Sequence, residues 1–262
     1  MKILFPFVGD SVGGSHLSSL NLCKTLKANN YEVVILLHNI NGPLSKLLNE
    51  MEIEYQEVHI PYLAGQSPNK LKIFLGMLIN IIPLINFIKK NNIDIVHGND
   101  LRINLTWSLT TRLSQAKFIW HQRTILSKSK FWKSINILCD HFIGISQAVI
   151  SSAPKNINPL KKSMVHNAFE SDMQYDKELS KNLIKENISK SDNMLLLGCV
   201  GRLVPYKNID FVIRSLPEII QISNKPVHLL IIGDGNNQYT SFLKNLVEEL
   251  QLQEYISFTG FI

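Results

Sequence analysis

No Asp-x-Asp pair occurs anywhere in the 262 residues, so a divalent ion held by that motif at a nucleotide diphosphate is not expected. Cysteine is sparse: Cys23, Cys139 and Cys199 are far apart, odd in number, and each lies inside an apolar run. That set excludes a disulfide framework and suits small buried hydrophobes in a reducing compartment. No Ser, His and Asp set and no Cys and His set stands at a recognisable elbow, and there is neither zinc-finger spacing nor a long basic tract. Nucleic acid is therefore not an expected partner. A signal peptide is also missing, because Met1-Lys2 is followed by "ILFPFVGDSVGG", which breaks at Gly9. A cytoplasmic protein is expected.

What is present points to an α/β protein. Hydrophobic residues make up 45% and charged residues 18%, enough to bury a sizeable core. Lys and Arg total 27 against 21 Asp and Glu, a modest excess that suits phosphate-bearing ligands or an anionic surface. Strand-like runs alternate with helix-like stretches from "KILFPFV" through "HLSSLNLCKTLKANN", "YEVVILLH", "IDIVHGND", "KFIWH", "HFIGIS" and "SMVHN". This is the rhythm of a parallel sheet wrapped by helices, so residues 1–170 are expected to form one doubly wound, Rossmann-like domain. Residues 171–193 are polar and read as a linker. The rhythm restarts at "MLLLGCVG", and 194–262 supply three strands and two helices. That second sheet is abbreviated, with an apolar edge that invites aggregation or a partner.

Two stretches bear on membranes. "IFLGMLINIIPLINFI", residues 73–88, reads as one long helix flanked by Lys70, Lys72, Lys89 and Lys90. It falls short of the ~20 residues that cross a bilayer, which leaves a buried helix or a helix lying in the membrane surface. "RTILSKSKFWKS", residues 123–134, interleaves Arg123, Lys128, Lys130 and Lys133 with Phe131 and Trp132. It suits either anionic lipid headgroups or a solvated face, and would place the protein at the inner face of a membrane in the first case.

Chemistry in an open parallel sheet sits beyond the carboxyl ends of the strands. "GDSVGGSH" offers Gly13 and Gly14 at a helix start, where free amides can face a phosphate. "LLLGCVGRLVPYKNIDFVIRSL" carries Arg202 past a strand end and Lys207 beside the next helix, with Asn208 or Asp210 as its expected cap. A planar guanidinium and a mobile ammonium together match a diphosphate. In "IIGDGNNQ", Gly233 and Asp234 end a strand in a turn that either is structural or holds a ligand hydroxyl. His97 and His121 each stand at the end of a strand.

Taken in order, "GGSHLSSLNLCKTL", "YEVVILL", "DIVHGND", "FIWHQR", "FIGISQAV", "VHNAFE", "GRLVPYKNIDFVIRSL", "LLIIGDG" and "ISFTGF" resemble the retaining GT-B glycosyltransferases of family 4 (group 1). The resemblance implies two Rossmann-like domains, an acceptor side first and a nucleotide-sugar side second. It assigns Arg202 and Lys207 to the donor diphosphate, Gly14 to the loop that closes over the same phosphates, and His121 to the neighbourhood of the transferred sugar. The expected activity is hexose transfer from a nucleoside diphosphate sugar to a glycan or lipid-linked acceptor in cell-surface polysaccharide or lipopolysaccharide synthesis, without a metal or a further cofactor.

The sequence departs from the family pattern in three ways. Asn208 stands where glycine usually follows the lysine, and Gln122 where Asp or Gly is common. The family's pair of glutamates seven residues apart, expected beyond "TGF", is absent from these 262 residues. A shortened polypeptide, a naturally shorter gene product and a partner chain that completes the second domain all account for this. The chain alone is accordingly expected to bind a nucleotide sugar weakly. The rival readings are a nucleotide-sugar-binding scaffold and a sugar-nucleotide epimerase of the same architecture.

Overall fold

Among the described residues of a computed structural model of the chain, ten strands form, all paired in parallel. It describes residues 1–67, 69–168, 176–180, 182, 194–235 and 237–260. The backbone divides into two compact units, Met1–Ser171 and Asp172–Ile262. The expected linker, 171–193, lies largely outside the described residues.

In the first unit the strands are β1 (Lys2–Phe7), β2 (Glu32–Leu37), β3 (Gln56–Glu57), β4 (Ile95–Gly98), β5 (Lys117–Gln122), β6 (His141–Gly144) and β7 (Lys162–Met164). Their order is β3-β2-β1-β4-β5-β6-β7, so the connections reverse direction between β1 and β4. Alternation along a strand sends successive side chains to opposite faces, and here both faces are buried. Ile3, Phe5 and Phe7 pack with Leu20 and Cys23 of α1 (Gly14–Ala28) and with Leu44 and Leu48 of α2 (Pro43–Glu50). Leu4, Leu36, Val96 and Phe118 face the other way, toward α3 (Lys70–Ile79), α4 (Ile81–Lys90) and α5 (Leu101–Leu113). The short α6 (Ile135–Leu138) and α7 (Gln147–Ser152) complete the unit. This is the doubly wound sheet that the alternation of runs predicts.

The single helix expected over residues 73–88 is two helices, bent by 42°. Pro83 has no N–H to donate to the turn before it. Asn80, fully buried, covers the break: its Nδ2 donates at 2.7 Å to both the Gly76 and the Tyr62 carbonyls. Behind these helices α5 carries Trp107, whose Nε1 donates to His38 Nε2 at 3.0 Å. That bond leaves the proton of His38 on Nδ1, which donates to the Val58 carbonyl at 2.8 Å. The basic stretch 123–134 also differs from its membrane reading. Trp132 is buried and donates to Ser127 Oγ, and Phe131 packs against the same core, so the aromatics turn inward.

The second unit holds β8 (Leu195–Val200), β9 (Val227–Ile232) and β10 (Ile256–Gly260) in the order β10-β9-β8. Two helices, α8 (Ile209–Ile222) and α9 (Asn237–Glu249), pack on it through Ile209, Ile213, Leu216, Leu243 and Leu246 against Leu229 and Ile231. Among the described residues β8 is an edge strand, with Leu195, Leu196 and Val200 exposed.

Candidate functional site

In the first unit, polar groups collect where β1, β4 and β5 end, beside the reversal between β1 and β4 where such sheets bind ligands. His97 on β4 and His121 on β5 meet edge to face, ring centroids 5.3 Å apart, and His97 lies against Phe5 at 4.7 Å. Both are buried, and neither His121 nitrogen nor His97 Nδ1 has a hydrogen-bond partner among the described residues. Burial is the main reason their pKa values fall, to about 4 for His97 and about 3 for His121, with the Arg123 charge adding to both. At neutral pH the rings are uncharged, able to offer or accept a hydrogen bond but not to act as cations.

Glycine 98 makes this packing possible. A Cβ there would stand 2.0 Å from Asn104 Oδ1, and Asn104 Nδ2 donates to the His121 carbonyl at 3.2 Å. One strand residue beyond β5, Arg123 lies on the same side as His121 by the period of two. Its Nη2 donates to Ser19 Oγ at 2.9 Å and its Nη1 to Asn167 Oδ1 at 2.5 Å. No carboxylate pairs with it among the described residues, and burial lowers its pKa to about 10. The sequence reading placed Arg123 in a basic stretch suited to either anionic lipid or a solvated face; the signal that it belongs here is its offset of two from His121 at a strand end.

The carboxylates at this edge are engaged. Arg102 clamps Asp10 with two bonds, Nη1 to Oδ2 at 2.6 Å and Nη2 to Oδ1 at 3.1 Å, which is the main cause of the lowered Asp10 pKa. Asp100 caps α5 through the Arg102 N–H at 2.8 Å. The Asp10 clamp holds the loop that leads to Gly13 and Gly14. Gly13 is extended, at φ −168°, and no side chain caps α1. A Cβ on Gly14 would meet nothing within 4 Å. Neither glycine is needed for its own backbone, so a tight turn does not explain the pair.

In the second unit the strand ends are knitted together: Gly201 N–H donates to the Ile232 carbonyl at 2.9 Å and Gly233 N–H to the Gly260 carbonyl at 2.7 Å. Gly233, at φ +133°, would put a Cβ 2.1 Å from the Gly201 carbonyl oxygen. Asp234 Oδ1 accepts from the Gly235 N–H at 2.7 Å. Of the two readings of this turn, the structural one accounts for both residues. Arg202 is exposed just past β8, with Nη2 donating to Tyr206 Oη at 2.9 Å, and Lys207 ends a short 3-10 helix, Pro205–Lys207, directly before α8. Neither cation pairs with a carboxylate among the described residues. The expected side-chain cap does not form: Asn208 adopts the left-handed conformation, φ 52° and ψ 37°, and makes no capping bond. Asp210 instead accepts from Tyr239 Oη at 2.8 Å. The physical reason is the sharp reversal between the 3-10 helix and α8, which glycine meets without strain and asparagine tolerates.

Residues 12–171 match the family model described as Glycosyltransferase Family 4, and residues 180–262 match Glycosyl transferases group 1. A glycogen synthase of Hydrogenovibrio crunogenus is 38% identical over 66 residues, covering 24% of this chain and 13% of that protein. A second, from Aromatoleum aromaticum, is 31% identical over 84 residues, 31% of this chain and 16% of its own. The chain thus aligns with well under two thirds of either relative. Among solved structures, Anabaena Alr3699/HepE in complex with UDP and glucose superposes with a TM-score of 0.76 at 19% identity, over 100% of this chain and 70% of that one. A glycosyltransferase of Rickettsia africae gives 0.75 at 20%, over 100% and 68%. At those identities the likeness speaks for the fold, which is of GT-B type. The first family model spans well over half of the residues, and on that ground the chain belongs to glycosyltransferase family 4.

Proposed function

We propose that this chain moves a hexose from a nucleoside diphosphate sugar to a glycan or lipid-linked acceptor, with retention at the sugar carbon, in the synthesis of a cell-surface polysaccharide. One observation carries the reading: Arg202 and Lys207 stand exposed at the carboxyl end of β8, without a carboxylate partner among the described residues, in a segment that matches the group 1 glycosyl transferases. Charge builds on the departing diphosphate as the sugar bond breaks, and fixed cations stabilise that state more than the ground state. In the first unit the open amides at Gly13 and Gly14 suit a phosphate, and neutral His121 suits a sugar hydroxyl. The engaged state of Asp10 and Asp100 supports retention without a carboxylate nucleophile, the acceptor entering on the face that the diphosphate leaves. His97 backs His121, and Asp234 holds its turn.

The test is binding followed by turnover. UDP, the nucleotide bound in the Anabaena neighbour, should raise the melting temperature of the chain, and Arg202→Ala with Lys207→Ala should abolish the rise. Released nucleotide from UDP-sugars in the presence of an acceptor reports transfer, and loss of one such cation should lower it by about a hundredfold or more. A double variant that binds and turns over like the parent would overturn the proposal. A UDP-induced shift without release favours the second reading, a nucleotide-sugar-binding protein completed by a partner chain, for which the exposed β8 edge of Leu195, Leu196 and Val200 is the supporting observation.

A further inference from the structure

α3 is apolar on two sides. Its inner side, Ile73, Gly76 and Met77, is buried in the first unit's core, and a Cβ on Gly76 would meet the Tyr62 ring at 2.8 Å. Its outer side carries Leu71, Phe74, Leu75, Leu78 and Ile79, at offsets of three, four, seven and eight, and Ile82 continues the stripe past the bend. All six are exposed, from 40% at Leu78 to 74% at Ile82. A surface helix that has already buried one face ordinarily turns a polar face to water. Contiguous apolar surface of this kind marks an interaction site.

The charges around it select the partner. Lys70 and Lys72 at one end and Lys89 and Lys90 at the other are exposed, and none pairs with a carboxylate among the described residues. From residue 58 to residue 93 there is no Asp or Glu. Protein interfaces are poor in lysine, whereas lysines with long apolar stems frame helices that lie in an anionic bilayer surface. The two helices are together long and apolar enough for a broken span. Crossing would require Ile73, Met77, Leu84 and Ile88 to leave the core that buries them, so the outer face alone is free to enter a membrane.

The geometry points to the outer face of α3, continued by Ile82 and framed by the four lysines, as a docking surface for an anionic lipid bilayer. It lies flat, with the apolar stripe at the headgroup boundary and the lysines on the phosphates. This placement is independent of sugar transfer, and of the two stretches with a membrane reading it favours the one around residues 73–88 over 123–134, whose aromatics are turned inward.

Co-sedimentation of the full chain with vesicles tests it. Phosphatidylcholine vesicles should leave the chain in the supernatant, and vesicles of phosphatidylcholine mixed with phosphatidylglycerol should pull it down at low salt and release it at high salt. Phe74→Ser with Leu78→Ser should weaken that binding by about tenfold or more. Each lysine converted to glutamine among Lys70, Lys72, Lys89 and Lys90 should weaken it by about fivefold. Because these side chains are exposed, circular dichroism and melting temperature should match the parent, which separates lost docking from lost folding. The proposal fails if the parent ignores the anionic vesicles, or if the variants bind as the parent does. It fails equally if sedimentation velocity without lipid shows a dimer that the serine variants dissolve, because a second copy would then be what covers the face.

Discussion

Mild acid should destabilise the first unit, chiefly through three histidines, with the burial of His16 acting in the same direction. His38, His97 and His121 are buried and neutral, with pKa values lowered from 6.5 to about 4, about 4 and about 3, chiefly by burial. The charge of Arg123 opposes protonation of His97 and His121, and His59 opposes that of His38. In the unfolded chain the same rings titrate near the ordinary value. Below it the unfolded state binds protons that the folded state refuses, so stability falls as pH falls. The contribution is fully present above about pH 6.5 and is lost progressively as the pH drops toward about 4. Each histidine costs about 1.4 kcal/mol per pH unit inside that window, so going from about pH 7.5 to about pH 5.5 should remove about 4 kcal/mol for the three. That is a large part of the ~5–15 kcal/mol that holds a domain folded. Urea titrations followed by tryptophan fluorescence read it directly, because Trp107 and Trp120 are buried in this unit's core. His38→Asn should reduce the slope of stability against pH by up to about a third, whatever it does to the absolute value. A stability that stays level or rises between about pH 7.5 and about pH 5.5 would refute the reasoning, since the rings would then have to be protonated in the fold.

Two further outcomes follow from backbone geometry. Gly98→Ala places a methyl 2.0 Å from Asn104 Oδ1 and should displace that amide from the His121 carbonyl, at a cost of roughly 2 kcal/mol or more in denaturant titration. Asn208→Gly should leave the second unit as stable as the parent or raise it by up to about 1 kcal/mol, while Asn208→Ile should lower it by about 1–2 kcal/mol, because the residue sits at φ 52°; thermal unfolding of the two variants in parallel checks the ordering.

Much of this was legible because it is local. An apolar run with a helical stretch behind it has few ways to bury both, and "KILFPFV" followed by "HLSSLNLCKTLKANN" could be assigned as strand and helix before any contact was known. The break at Asn80 was less legible. Asn80 and Pro83 are visible in the sequence, but the Tyr62 carbonyl that fills half of the Asn80 amide lies 18 residues away in the chain. The same limit applies to Asn208, where a side-chain cap and a left-handed backbone are both natural for asparagine and only the turn geometry chooses between them.

The candidate site divides along the same line. Residue type and position relative to a strand end singled out His97, His121, Arg202 and Lys207, because an imidazole or a cation at such a position is chemically informative wherever the strands lie. Strand order is a property of pairing between distant segments. It alone sets β4 beside β5, so that His97 meets His121 and Arg123 reaches Ser19 and Asn167. Burial is likewise decided between elements: the core drew Phe131 and Trp132 inward and left Phe74 and Leu78 in water. Local sequence determined which segments became strands, helices and turns, since propensity and periodicity act over a few residues. The tertiary structure decided which side chains share a surface, because that depends on packing that no single segment contains.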